Sequence, residues 1–498
     1  MYLSKNLLFT AKTSLIIATV LYFAFVAAYS VNQYDLGFIL SAVQRVKLGE
    51  AIYHDFDYVR PFCGIILWKY LLQFLSVESE YLILISRILV VLETFLISHL
   101  IQKIIFEKSL FTTSLFLQVC FLHTFPIMPW HTIDGVLFSL LAIFFYKKNW
   151  FLSSILFVVF TSLTKQSFFI FGFVFSIIIA LKFRKNSVIQ KNDFYLSVII
   201  TILFAVALYQ FKIFENFSQF FSQVFNSSSG FYEAAIKSYF FDKTFNNILF
   251  VTFLLSLYFL KIKQNYLDGF LVCLFIAIVI FPFTNDGNHL FIHQVFLLTL
   301  VLFLKSAQQN KYIYFLFFVA WSSSISWGYN LPIFFTFILI YLYISKKSNS
   351  LLLLWFLALS SFFIYRIKYT YLSDSILSSN YIKVKDTPAI SGLLISEKEN
   401  SYILEAQKLN RDYKNIIFVP GSPLIDIINT SFPNRASWEM DVEYPNWKKD
   451  VKDLTQNIIA VDKAQSFRNG FFKSSFTAQL IEGKKIIKQT KYFTIYGN

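Results

Sequence analysis

The chain has 498 residues, of which 56% are hydrophobic and only 15% charged, and its mean hydropathy is +0.57. Water-facing domains carry roughly 25% charged residues, so a soluble globule of this size is excluded. The formal net charge of +15 does not mark a nucleic-acid binder either, because the Lys and Arg residues fall in alternate loops, as membrane topology requires.

Apolar runs long enough to span a bilayer recur between Ser14 and Arg366. They predict helices near 12–31, 81–102, 109–125, 132–146, 150–164, 167–183, 194–214, 244–261, 267–283, 289–305, 312–326, 331–345 and 350–366, about 13 transmembrane helices in all. One set of loops carries Lys103 and Lys108, Lys147 and Lys148, Lys182, Arg184, Lys185 and Lys191, Lys261 and Lys263, Lys305 and Lys311, and Lys346 and Lys347. The other set, around 126–131, 284–288 and 327–330, has no Lys or Arg. The basic set and the N-terminus with Lys5 and Lys12 are therefore read as cytoplasmic. Ala27-Ala28 offers the small residues of a signal-peptide cleavage site, but the preceding stretch is long and aromatic and reads as a retained helix.

Residues 32–80 form one outer loop in this reading. It holds an amphipathic helix over Leu36–Leu48, with Phe38, Ile39, Ala42, Val43 and Val46 on one side. Pro61–Val77 is apolar, but a crossing there would reverse every later loop, so it is expected to lie in the outer interface. Asp35 sits just past the first helix, placed as a general base would be or as a cap for the helix that follows. Arg45 and Arg60 suit an anionic group or the lipid headgroups. Arg87 lies inside the second span, a costly place for a charge and for that reason a functional candidate. Further along, Trp130-His131-Thr132-Ile133-Asp134 opens a span and Thr164-Lys165-Gln166 forms a turn. Asn285 to His289, with His293 one turn later, opens another. His289 and His293 share a helix face, but a lone histidine pair without His-Glu-x-x-His is weak support for a metal, so no metal ligands are assigned and a divalent metal stays open. Cys63, Cys120 and Cys273 form no C-x-x-C pair and read as packing residues.

After about Thr370 the texture turns polar, dividing the chain into a membrane domain, 1–369, and a soluble extracytoplasmic α/β domain, 370–498. Ser396-Glu397-Lys398-Glu399 is a capping box opening a helix to about Asn410. Ile416–Val419 and Asn457–Val461 read as strands, Pro420-Gly421-Ser422-Pro423 as a turn, and Lys484–Ile487 with Tyr492–Tyr496 as a closing hairpin. The fold class is thus mainly α, a polytopic membrane helix bundle with a small C-terminal α/β domain.

The order of these residues resembles the GT-C glycosyltransferases, within them the protein O-mannosyltransferase and lipid A aminoarabinose transferase branch. Asp35-Leu36, Arg60-Pro61, Arg87, Asp134 and Leu163-Thr164-Lys165 stand where that family has an acidic pair, a basic-Pro step, an Arg in the second span, an Asp opening a later span and a Leu-Thr-Lys turn. Leu36 departs from the acidic pair, and Arg60 stands where Lys is commoner. The resemblance implies a divergent bacterial member in the inner membrane that moves a sugar, with inversion, from a polyprenyl-phosphate carrier to an extracytoplasmic glycan, lipid or protein. It implies Asp35 as general base, Arg60, Arg87 and Lys165 on the donor phosphate, and Asp134, His131 and His289 orienting acceptor or carrier. No nucleotide is needed, in keeping with the lack of a Gly-rich phosphate loop. A polymerase or ligase using lipid-linked donors, and a transporter or flippase for lipid-linked sugars, are the competing classes.

Overall fold

A computed structural model describes residues 5–32, 35–106, 110–124, 127–185, 188–226, 310–324, 348–368, 380–413, 416–419, 421–433, 457–463 and 476–498, with isolated positions between, among them Phe335, Ile338, Leu342, Ile376 and Arg435. The first helices are α1 (Lys5–Ala28), α2 (Phe38–Lys47), α3 (Cys63–Phe74), α4 (Leu82–Phe106), α5 (Phe111–Thr124) and α6 (His131–Lys147). They are followed by α7 (Phe151–Ser162), α8 (Phe169–Lys185), α9 (Lys191–Gln210), α10 (Phe217–Asn226), α11 (Tyr312–Ser324) and α12 (Ser348–Lys368). Five of them, α1, α4, α8 together with the 3-10 turn that leads into it (Gln166–Phe168), α9 and α12, are long and apolar enough to cross a membrane. Helices α5, α6, α7 and α11 stand where spans are expected but run to only 14, 17, 12 and 13 residues. The expected spans at 244–261, 267–283 and 289–305, and most of 331–345, lie outside the described residues.

Helix α3 has 12 residues, about 18 Å at 1.5 Å per residue and well short of a bilayer core of about 30 Å. The amphipathic α2 begins at Phe38 with Gly37 as its N-cap residue, so Asp35 does not occupy the N-cap position. Helices α6 and α7 turn back on each other through Asn149, which takes the left-handed conformation at φ 60°. The start of α7 is fastened by Asp193 in the first turn of α9: its carboxylate accepts from Leu152 N at 3.0 Å, Ser153 N at 2.8 Å and Ser153 Oγ at 2.7 Å. An anionic acceptor on the free N–H groups of a helix start satisfies groups that have no partner within the helix.

The C-terminal domain contains β1 (Tyr381–Lys383), β2 (Leu394–Ser396), α13 (Glu397–Asp412), β3 (Ile417–Val419) and α14 (Pro423–Asn429). Then come β4 (Ile459–Asp462), α15 (Phe476–Ile481), β5 (Lys485–Gln489) and β6 (Phe493–Gly497). The larger sheet has the order β3-β4-β6-β5, with β3 and β4 parallel and the other pairs antiparallel. The capping box forms as the sequence predicts: Glu399 N donates to Ser396 Oγ and Ser396 N to Glu399 Oε2. One expectation is corrected. Gly421-Ser422-Pro423 does not simply turn; Ser422 caps α14, and Pro423 follows inside the first turn, where its missing N–H costs nothing.

This domain is seated on the segment between α1 and α4. Ser30 N donates to Leu394 O at 2.7 Å, Tyr81 N to Pro388 O at 2.9 Å and Asp57 N to Arg435 O at 2.8 Å. A Cβ on Gly37 would lie 2.6 Å from the Pro423–Leu424 backbone, so only glycine admits α14 this close to α2. Arg45 of α2 lies over the Phe56 ring at 4.7 Å and the Phe432 ring at 5.4 Å, and pairs with Glu50 at 2.6 Å.

Burial pushes the Asp426 carboxyl up to about 7, and the Arg45 charge offsets only part of this. The unfolded chain releases this proton near pH 4. The protonated carboxyl therefore favours folding below that value, and the contribution is lost as pH rises to about 7. Asp426→Asn mimics the protonated form. Thermal unfolding at about pH 5 and about pH 8 should show a smaller decline in the variant, worth roughly a few kcal/mol. Equal declines would mean that Asp426 does not titrate in this window.

Candidate functional site

The segment from Tyr53 to Phe62 is irregular yet mostly buried. Main-chain polar groups in such surroundings need partners inside the protein. Gln223 of α10 supplies several. Its Nε2 donates to Tyr53 O at 2.8 Å and to Asp57 Oδ1 at 2.9 Å, and its Oε1 accepts from Tyr58 N at 2.9 Å. Gln166 Nε2 donates to Val59 O at 2.6 Å and Val224 O at 3.1 Å, and Cys63 N donates to Leu163 O at 2.9 Å. These bonds press the Arg60-Pro61 step against the Leu163-Thr164-Lys165 turn, although the two are about a hundred residues apart.

A polar cluster results at the N-terminal end of α6. Lys165 Nζ donates to Thr132 Oγ1 at 2.7 Å. The Tyr58 hydroxyl meets His131 Nε2, and burial pushes that hydroxyl well above its ordinary range, so it keeps its proton. Arg60 and Lys165 both act electrostatically on His131, and both are buried. Asp134 Oδ1 accepts from Trp68 Nε1 of α3 at 3.1 Å. The Glu93 carboxyl of α4 lies close enough to Asp134 to act on it electrostatically. Gly64 makes the seat for both α6 side chains: a Cβ there would collide with the His131 ring and with Asp134 Oδ2 at 2.9 Å.

Beside this cluster lies an apolar groove of about 470 Å³. Its walls come from α3 (Cys63, Ile66, Leu67, Leu71), from Phe138 and Phe160, and from α9 (Leu203, Phe204). Cys63, the third residue after Arg60, lines this groove at the first turn of α3.

Of the residues expected at one site, Arg60, His131, Asp134 and Lys165 gather here. Arg87 does not join them. Its Nη1 donates to Ala27 O at 3.2 Å and Tyr29 O at 3.0 Å, and it lines a different cavity with Arg366. Asp35 is half-buried ahead of α2; its N donates to Asn32 Oδ1 at 3.2 Å and its carbonyl accepts from Phe38 N at 3.1 Å. Phe38 in turn stacks on Tyr58 at 5.1 Å and meets the His131 ring edge-on at 5.6 Å. His289 and His293 lie outside the described residues. Among the described residues, no three His, Cys, Asp or Glu side chains group as a metal site.

Gln223, Trp68 and Arg366 are structural participants that sequence reasoning missed. Gln223 carries a readable signal, since Gln219 and Gln223 recur four apart in the Phe-rich segment of α10, a polar stripe on an amphipathic helix. Arg366 looks like an ordinary basic flank of an apolar run, and nothing local distinguishes it.

Gly64→Ala is expected to destabilise the protein by roughly 1–3 kcal/mol, the usual cost of overpacking, read as a lowered thermal midpoint of purified protein. A midpoint equal to wild type would mean that His131 and Asp134 are not held against α3. Compared with protein-family models, curated proteins and solved structures, the chain shows no match.

Proposed function

We propose that the chain is an integral membrane glycosyltransferase of GT-C type that moves a sugar from a polyprenyl-phosphate carrier to an extracytoplasmic acceptor, with inversion. The observation that carries this reading is a pair of buried cations, Arg60 and Lys165, that both act on His131, with an apolar groove of about 470 Å³ whose wall includes Cys63, the third residue after Arg60. A lipid-linked phosphate has two such parts, a tail that seeks apolar surface and a charged head that needs cations. Guanidinium and ammonium groups beside the phosphate stabilise the charge it gains as it leaves. In this reading Asp35 takes the proton from the acceptor hydroxyl. His131 and Asp134 orient the carrier or acceptor. The full bundle has about 13 spans with a cytoplasmic N-terminus and a C-terminal domain on the outer face of a bacterial inner membrane.

A second reading, a transporter or flippase for lipid-linked sugars, is favoured by one feature. The Glu93–Asp134 pair lies between two apolar helices, and buried carboxyls of this kind relay protons in transporters. Vesicles reconstituted with the protein separate the two, since a flippase redistributes lipid-linked sugar between leaflets without forming product.

Purified protein given a polyprenyl-phosphate sugar and membrane extract as acceptor source should form a glycosylated product. Efficient transfer from a nucleotide sugar alone would sink the proposal. Asp35→Asn should fold normally and lose on the order of 10²-fold or more in turnover, because an amide cannot accept the proton. Arg60→Ala should instead weaken donor binding. Wild-type turnover in Asp35→Asn would return Asp35 to a structural role.

A further inference from the structure

The loop from Tyr53 to Phe62 is held by α10 and also by the C-terminal domain, through two consecutive loop residues. The Arg45 guanidinium lies over the rings of both Phe56 and Phe432, so one cation bridges loop and domain. At the next position Asp57 N donates to Arg435 O at 2.8 Å, and Arg435 Nη2 donates back to Asp57 Oδ1 at 3.2 Å. Two bonds running in opposite directions, between residues 378 positions apart, fix both the place and the orientation of Asp57.

The Asp57 side chain is 1% exposed, whereas that of Arg435 is 38% exposed. A carboxylate out of water is costly unless cations and donors surround it, and here the C-terminal domain supplies a cation. The contact is passed on, because Gln223 Nε2 donates to the same Oδ1 at 2.9 Å and the Gln223 amide also bonds Tyr53 O and Tyr58 N. Tyr53 stands in the left-handed region at φ 69°, a costly conformation for a side chain of this size, and its hydroxyl donates to Arg60 O at 2.7 Å. The Tyr58 hydroxyl meets His131 Nε2. A chain of hydrogen-bonded residues therefore runs from Arg435 through Asp57 and Gln223 to Arg60 on one branch and His131 on the other.

We propose that Arg435 is a positioning residue: from the C-terminal domain it sets, through the Asp57 carboxylate, the conformation of the loop that places Tyr58 and Arg60. This role needs no substrate, so it stands or falls apart from the assignment of a donor phosphate to Arg60. The competing account is that Arg435 only helps to seat the domain. Main-chain amides separate the two. Ser30 N on Leu394 O and Tyr81 N on Pro388 O report the seating, whereas Tyr58 N on Gln223 Oε1 reports the loop.

The experiment compares the full chain in nanodiscs with its Arg435→Gln variant by hydrogen exchange resolved to single amides. Arg435 is partly exposed, so the variant should keep the wild-type thermal midpoint. The Tyr58 amide should lose roughly tenfold in protection, the usual worth of a hydrogen bond to a charged group, while the Ser30 and Tyr81 amides exchange as in wild type. Arg435→Lys, which keeps the cation, should restore most of that protection. In an Asp57→Ala background Arg435→Gln should add nothing at Tyr58, because the shared carboxylate is gone. The proposal is overturned if Tyr58 keeps its protection in Arg435→Gln, or if Ser30, Tyr81 and Tyr58 lose protection together, as an unseated domain requires. A further loss in the Asp57→Ala background would overturn it as well.

Discussion

The arrangement rests on one requirement: the irregular chain from Tyr53 to Phe62 is packed among apolar helices, and its main-chain polar groups must find partners there. Gln223 and Gln166 provide them, each serving several groups at once. Glutamine suits this task because its amide presents both donors and an acceptor, so one side chain can bond a strand of backbone on both sides. With the loop held in this way, Arg60 comes to rest near His131 and Lys165. Removing either amide would leave several buried groups unsatisfied together, each at a cost of about 1–3 kcal/mol.

The same economy of polar contacts recurs at the helix ends. Apolar helices gain little from association in lipid, so polar ties and close packing decide their register. Asp193 fastens the start of α7, and Gln102 accepts from Leu110 N and Thr113 Oγ1 at the start of α5. The basic residues that signal topology also act structurally. Lys147 Nζ donates to Lys103 O at 3.1 Å and Ile104 O at 2.8 Å, and Lys182 Nζ to Tyr146 O at 3.0 Å. Cations at helix C-termini bond the last carbonyls and oppose the negative end of the dipole. Arg87 and Arg366 do the same at the C-terminal ends of α1 and α5, and both line one cavity.

The C-terminal domain is part of this framework. It meets the segment after α1 through main-chain bonds at Ser30 and Asp57, and Arg435 reaches Asp57 Oδ1 at 3.2 Å, the oxygen that also accepts from Gln223. Asp57 is therefore shared between domain seating and loop conformation. A shift of the domain would act on the loop that carries Arg60 through this one carboxylate, with Gly37 allowing the close approach of α14 to α2.

Much of this protein could be read directly. Hydropathy marks the long helices, and the Ser396–Glu399 box and the amphipathic α2 appear where their spacing puts them, because each depends on contacts within a few residues. The partners of single polar side chains are a different matter. Gln223 bonds Tyr58 across 165 positions and Arg366 bonds Leu122 across 244, and no periodicity encodes such pairings. The sequence by itself determined the membrane character, the helix positions and the candidates. Only tertiary packing decided that Arg60, His131, Asp134 and Lys165 share one cluster while Arg87 joins Arg366. The physical reason is that a buried charge settles where neighbouring helices leave room and carbonyls to bond, and that is a property of their packing together.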